Sequence, residues 1–131
     1  MPKKAILCVD DEEIVLTALR EQLQDFFGEQ YRYELAESAE EAMEVMEELA
    51  QEGVEVVMII SDWLMPKIKG DEFLINVHQN FPKIMTVILT GHATFEAIER
   101  AKKEANLYDY LYKPWTAQEL RAVIQSALND L

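Results

Sequence analysis

The 131-residue sequence predicts an α/β domain: a doubly wound (βα)5 unit with a five-stranded parallel sheet. Two observations predict it. Apolar runs of strand length alternate five times with stretches whose apolar residues recur at helical spacing, over short connections, and strict alternation builds a parallel sheet. The first, third and fourth runs are also almost continuously apolar, as strands covered on both faces require.

The elements follow in order. "KKAILCV" at 3–9 is a short apolar run with β-branched members, a strand. Residues 12–27 place Val15, Leu19, Leu23 and Phe26 on one helical stripe that stops at Gly28. "YRYELAE" at 31–37 alternates and reads as an edge strand. Ser38 with Glu41 forms a capping box for a helix over 39–52, stopped by Gly53. Residues 54–61 are the third strand, and 71–81 the third helix, closed by Pro82. Residues 83–90 are the fourth strand, 94–105 a helix capped by Thr94, and 107–112 the fifth strand. Thr116 and Glu119 make a second capping box for the last helix. Nothing in the pattern suggests a second domain, so residues 1–131 are expected to form one.

Composition narrows the function classes. Twenty-five acids oppose twelve bases, a net charge of −13, which is unsuited to binding a phosphate backbone or an anionic membrane. No apolar run approaches the roughly 20 residues of a membrane span, and "MPKKAILCVDDEE" is not built like a secretory signal. The lone Cys8 allows no internal disulfide and reads as a small buried hydrophobe. A cytoplasmic protein is the expectation.

The polar residues at the strand ends carry the chemistry. The first strand runs into Asp10-Asp11, the third, "VVMIIS", into Asp62, the fourth into Thr90 and the fifth into Lys113-Pro114. An open parallel sheet places all these ends on one edge, where ligands bind. Three carboxylates brought together repel and raise one another's pKa, and a hard divalent cation relieves that conflict. One carboxylate then suits nucleophilic attack on a phosphoryl group, with a cation, an ammonium and a hydroxyl to stabilise its oxygens. Each group also has a plainer reading. Asp10-Asp11 is a fair helix N-cap, Thr90 ordinary β-branched filler, Lys113 a surface lysine and Tyr110 a half-buried strand aromatic. His92, two residues past Thr90, reads equally as a rim residue that tunes the access of water to the site or as a solvated loop histidine; His78 reads as solvated, and the acids of the second helix as a solvated face.

Together "VDD", "SDWLMP", "ILTGHA" and "YLYKPW" closely resemble the receiver domain of two-component response regulators, from about residue 3 to 131. The resemblance implies the flavodoxin-like strand order 2-1-3-4-5. It implies Asp62 as phosphoacceptor, with Asp10, Asp11, Asp62 and the Leu64 carbonyl holding Mg2+ or Mn2+. It implies Thr90 and Lys113 as contacts for the phosphoryl oxygens, Thr90 and Tyr110 as switch residues, and a cis bond before Pro114. Such a protein catalyses only its own aspartyl phosphorylation and dephosphorylation, and alters the surface of its fourth helix, fifth strand and fifth helix. Its partners would be a sensor histidine kinase or histidine phosphotransfer protein, docking near Ile14 and Ala18, and a downstream output; the resemblance also allows a phosphorylation-dependent homodimer. Three other classes stay in view. A phosphatase of the haloacid-dehalogenase type needs a second acid two residues after its nucleophile, where Leu64 stands. A receiver-like binding module could act without phosphorylation. A flavin-binding protein of the same topology would face two carboxylates after its first strand.

Overall fold

The computed structural model describes residues 2–62, 70–91, 95–104 and 107–129. Strands and helices alternate as the sequence predicts: β1 (Lys4–Val9), α1 (Glu13–Phe27), β2 (Arg32–Ala36), α2 (Ala39–Gln51), β3 (Glu55–Asp62), α3 (Gly70–Asn80), β4 (Met85–Thr90), α4 (Phe95–Glu104), β5 (Leu107–Tyr112) and α5 (Ala117–Asn129). The strands pair in parallel in the order β2-β1-β3-β4-β5, so β2 is an edge as expected.

The sheet separates two apolar layers. On one face Ala42, Met46 and Leu49 of α2, Val77 of α3 and Ile98 of α4 pack on Leu7, Ile59 and Ile88. On the other, Leu16, Leu19 and Leu23 of α1 and Leu120, Ile124 and Ala127 of α5 pack on Ile6, Met58, Ile60 and Leu89. Each large side chain removed from water in this way stabilises the fold by about 1.5–3 kcal/mol. Residues 6–9 and 58–60 are wholly buried, which is why those runs carry almost no polar residue.

Local chemistry fixes the ends of the elements. The Ser38 hydroxyl accepts the Glu41 amide at 3.1 Å, but the Glu41 carboxylate accepts from Glu37 rather than from Ser38, so only half of the expected box forms. The Thr116–Glu119 box forms in both directions, at 3.1 and 3.2 Å. Gly28 and Gly53 end α1 and α2 with φ of 57° and 75°, values that cost a side-chain-bearing residue strain.

Two expectations need correction, and the strands add an irregularity of their own. The buried stripe of α1 is Leu16, Leu19, Leu23 and Phe27; Val15 and Phe26 lie on its flank. Phe27 turns inward against Tyr31, while Phe26 lies under the Arg121 guanidinium, 5.5 Å from its ring centroid. His78 is half-buried rather than solvated, because it flanks the packed Val77, and its Nδ1 has no hydrogen-bond partner among the described residues. The strand alternation also breaks twice. From Ala5↔Val56 to Ile6↔Met58, β3 advances two residues for one of β1, so Val57 and Met58 both face the α1/α5 layer. From Thr86↔Leu107 to Val87↔Asp109, β5 likewise carries an extra residue. Tyr108 consequently packs on the α5 side and Tyr110 on the α4 side.

Cys8 is wholly buried, and burial pushes its thiol up to about 12, against a weaker opposing pull from Arg20. A thiolate reagent at neutral pH should therefore label the native protein only as fast as it opens, and label the urea-unfolded chain at once. Rapid stoichiometric labelling of the folded protein would contradict this burial.

Candidate functional site

The C-terminal edge of the sheet collects the predicted residues. Asp10 directly follows β1, Asp62 is the last residue of β3, Thr90 the last of β4, and Lys113 follows β5. Their alignment comes from register: Val9 pairs with Ser61, Asp62 with Leu89, and Thr90 with Tyr112. The Lys113 amide then extends the ladder to the Thr90 carbonyl at 2.9 Å.

The side chains converge. Lys113 Nζ donates to Asp10 Oδ2 at 2.9 Å and to Asp62 Oδ1 at 3.0 Å. Asp10 is completely buried, Asp62 nearly so, and Thr90 is 1% exposed. The other oxygen of Asp10, Oδ1, accepts the Glu12 amide at 2.8 Å, just ahead of α1. The N-cap of α1 is Glu12, which makes no side-chain cap bond, so Asp10 is not the N-cap of the plainer reading: it binds the amide just before the helix and turns its other oxygen to the site. Asp11 is exposed, yet one carboxylate oxygen from each of Asp10, Asp11 and Asp62 lies within 4.8 Å of the others.

The electrostatics follow from burial and crowding. Asp62 is shifted above the ordinary aspartate range, first by burial; the Lys113 hydrogen bond opposes this, and the charges of Asp10 and Asp11 add to it. Burial disfavours the Lys113 ammonium, but the hydrogen bonds to Asp10 and Asp62 outweigh it and hold the group above its usual value. One ammonium therefore faces an excess of negative charge. Three hard carboxylate oxygens from separate elements suit a divalent cation of the magnesium type and lack the nitrogen and sulfur donors that zinc prefers. The donor set thus fits the metal that the sequence implies.

Leu64, Trp63 and His92 lie outside the described residues. The Lys113–Pro114 bond is cis. Tyr110 is half-buried on the α4 side of β5. Two arrangements were missed from sequence. The Trp115 indole donates to Gln22 of α1 at 2.8 Å, bracing the segment after Lys113; nothing local to either residue signals that pairing. Tyr110 also stacks edge-to-face on Tyr112, a contact that the i, i+2 aromatics of "LYDYLY" do foreshadow.

A family model, the response regulator receiver domain, matches residues 6–125. The chain belongs to the response regulator receiver domain family. Among curated proteins, this receiver is 33% identical to the hydrogenase transcriptional regulatory protein HoxA of Cupriavidus necator, over 94% of this chain and 24% of that relative, so it spans about a quarter of the relative's length. Among solved structures it resembles the signal receiver domain of an HD-domain-containing protein from Pseudomonas fluorescens, with 30% identity, a TM-score of 0.84, and 99% and 90% of the two chains covered. It also resembles the beryllofluoride-activated NtrC4 receiver domain dimer, with 26% identity, a TM-score of 0.82 and 98% of each chain covered. The clustered acids of this receiver match the phosphoaccepting, cation-binding site of the family, and its function is that of a phosphorylation-controlled switch.

The site sets a pH dependence in chelating buffer. Folding raises the pKa of Asp62, so its contribution is most favourable below the ordinary aspartate range and declines as pH rises through its folded value. Lys113 is also raised, so its contribution is full below its usual pKa and is lost as pH climbs past the folded one. Asp62→Asn removes one of two carboxylates sharing an ammonium and leaves the Lys113–Asp10 pair intact. It should raise the urea midpoint at neutral pH, a gain that vanishes near pH ~3, where Asp62 is protonated in both states. Lys113→Ala strands both carboxylates and should cost about 2 kcal/mol at neutral pH in the same melts. An Asp62→Asn protein that is less stable at neutral pH would refute this balance of charge.

Proposed function

We propose that Asp62 is the phosphoacceptor of this receiver and that Lys113 and Thr90 hold the phosphoryl group once it arrives. The observation that carries the reading is the Lys113 ammonium shared between Asp10 and Asp62, 2.9 and 3.0 Å away, beside a third acid. A carboxylate oxygen of Asp62 attacks phosphorus, and the bond from phosphorus to the donor's imidazole nitrogen breaks, its electron pair leaving with the imidazole. The product is an acyl phosphate on Asp62, which water later cleaves to restore the carboxylate. Lys113, already on Asp62 Oδ1, stays with the charge as it moves outward onto the phosphoryl oxygens. Thr90, at the end of the neighbouring strand, supplies a hydroxyl donor. When bound by Asp10, Asp11, Asp62 and the Leu64 carbonyl, Mg2+ or Mn2+ supplies the positive charge that lets an anionic donor approach an acidic site. The acyl phosphate carries about −1.5 to −2 units of charge where the Asp62 carboxylate carried one, and it reaches further outward, which draws Thr90 inward and opens space for Tyr110. That movement alters the α4–β5–α5 surface, where a downstream output or a second copy of the chain would engage. The beryllofluoride-activated dimer of the NtrC4 receiver supports the second-copy form.

The donor is a phosphohistidine on a sensor kinase or phosphotransfer protein, and its docking site is the start of α1. Ile14 is 83% exposed there, and with Glu13, Thr17, Ala18 and Glu21 it lines a shallow concavity a short distance along the chain from Asp11. An exposed isoleucine within an acidic rim suits a partner with an apolar patch and basic surroundings.

Two experiments test the reading. Magnesium titration followed by acetyl phosphate should change tryptophan fluorescence in two steps; Asp62→Asn should keep part of the first and lose the second. A second step that survives in Asp62→Asn would remove Asp62 from the role. Ala18→Arg should slow transfer from the cognate kinase by at least about tenfold, as a charge buried in an interface does, and leave acetyl phosphate labelling intact. Equal loss with both donors would place the defect in the site rather than in docking.

A further inference from the structure

Two exposed side chains hold Tyr110, and the phosphoacceptor chemistry uses neither. Tyr112, two residues on, meets it edge-to-face, with ring centroids 5.3 Å apart and an interplanar angle of 82°. Lys102 of α4 sets its ammonium 6.0 Å from the Tyr110 ring centroid, and also pairs with Glu99 at 3.7 Å. Tyr112 is 53% exposed and the Lys102 side chain 44%, so the hydrophobic core requires neither. The extra residue in β5 brings the three groups together, because it turns Tyr110 to the face shared with α4, where the ring of Tyr112 meets it.

We propose that Lys102 and Tyr112 are positioning residues that hold the Tyr110 ring against α4 and thereby set the resting bias of the switch. This rests on Asp62 being the phosphoacceptor and Tyr110 the ring that moves. An inward turn of Tyr110 gives up both contacts, so each favours the resting arrangement alone, and only such differential contacts shift a two-state balance. Each is weak and solvent-facing, enough for a bias of about threefold apiece and about tenfold together. Linkage is reciprocal: whatever stabilises the resting state weakens the binding of any ligand that prefers the other. The two residues therefore act as a brake on activation whose strength the outer surface of α4 and β5 sets.

The test uses beryllofluoride with saturating Mg2+ as the probe and measures its dissociation constant by tryptophan fluorescence. Lys102→Gln and Tyr112→Leu should each bind about threefold more tightly than the parent, and the double variant about tenfold. Lys102→Arg keeps a cation over the ring and Tyr112→Phe keeps the ring edge, so both should match the parent. In a Tyr110→Ala background none of the changes should have an effect. Electrostatics alone predicts the opposite sign, since removing a lysine from an acidic protein weakens its hold on an anion. Unchanged or weaker binding by Lys102→Gln and Tyr112→Leu overturns the brake, as does a gain that survives Tyr110→Ala. If the parent binds no beryllofluoride and acetyl phosphate leaves no adduct on Asp62 by mass spectrometry, the phosphoacceptor reading fails and the brake falls with it. If the parent binds and is labelled while the variants match it, the brake alone fails.

Discussion

Lys113 Nζ lies 2.9 Å from a wholly buried carboxylate and 3.0 Å from a second, and that bridge spans 103 residues of chain to Asp10 and 51 to Asp62. Neither acid tolerates such burial without a cation, and the lysine holds its proton because they are there. The pair constrains everything nearby. It ties the end of β5 to those of β1 and β3 and leaves a net negative pocket with one hydrogen bond to Asp62 already made. A site in this condition is short of positive charge, which is the requirement for taking up a divalent cation and then an anion.

The geometry depends on parallel topology more than on any local motif. Each helix returns the chain to the opposite edge of the sheet, so every strand delivers its last residue to the same side. Core packing enforces it: a slip of one register step in β3 would turn Ile59 and Ile60 to the wrong layers and carry Asp62 with them. Precision at the site is thus inherited from apolar side chains on both faces. The extra residues in β3 and β5 are the two places where the pleat is rephased so that core and site can both be satisfied.

Much of this was legible in the sequence because the signals were of kinds a sequence carries. Continuous apolar runs mark doubly covered strands, glycines mark helix stops, and acids at strand ends mark the site. Asp10, Asp11, Asp62 and Lys113 were found that way, and the structure brings them together. The errors have physical causes as well. The stripe of α1 came out one residue off because Val15 and Leu16, like Phe26 and Phe27, are equally apolar, and only the layer they face decides between them. His78 looked solvated because a polar residue on a helix flank is not distinguished by spacing from one on its outer face. The Gln22–Trp115 bond and the Lys102–Tyr110 contact join different elements, so no local pattern announces them.

The inserted residue in β5 has a mechanical consequence. On one side of it Tyr108 reaches α5, its hydroxyl 2.6 Å from Ser126; on the other Tyr110 lies beneath α4. A regularly pleated strand would send both tyrosines the same way and join the two helices to a single lever. Here the fifth strand is a fork, and a pull on one tine need not be felt through the other. The tether to Ser126 and the seat beneath Lys102 lie on opposite faces of the strand, so the anchoring of α5 and the seating of Tyr110 are set by separate contacts.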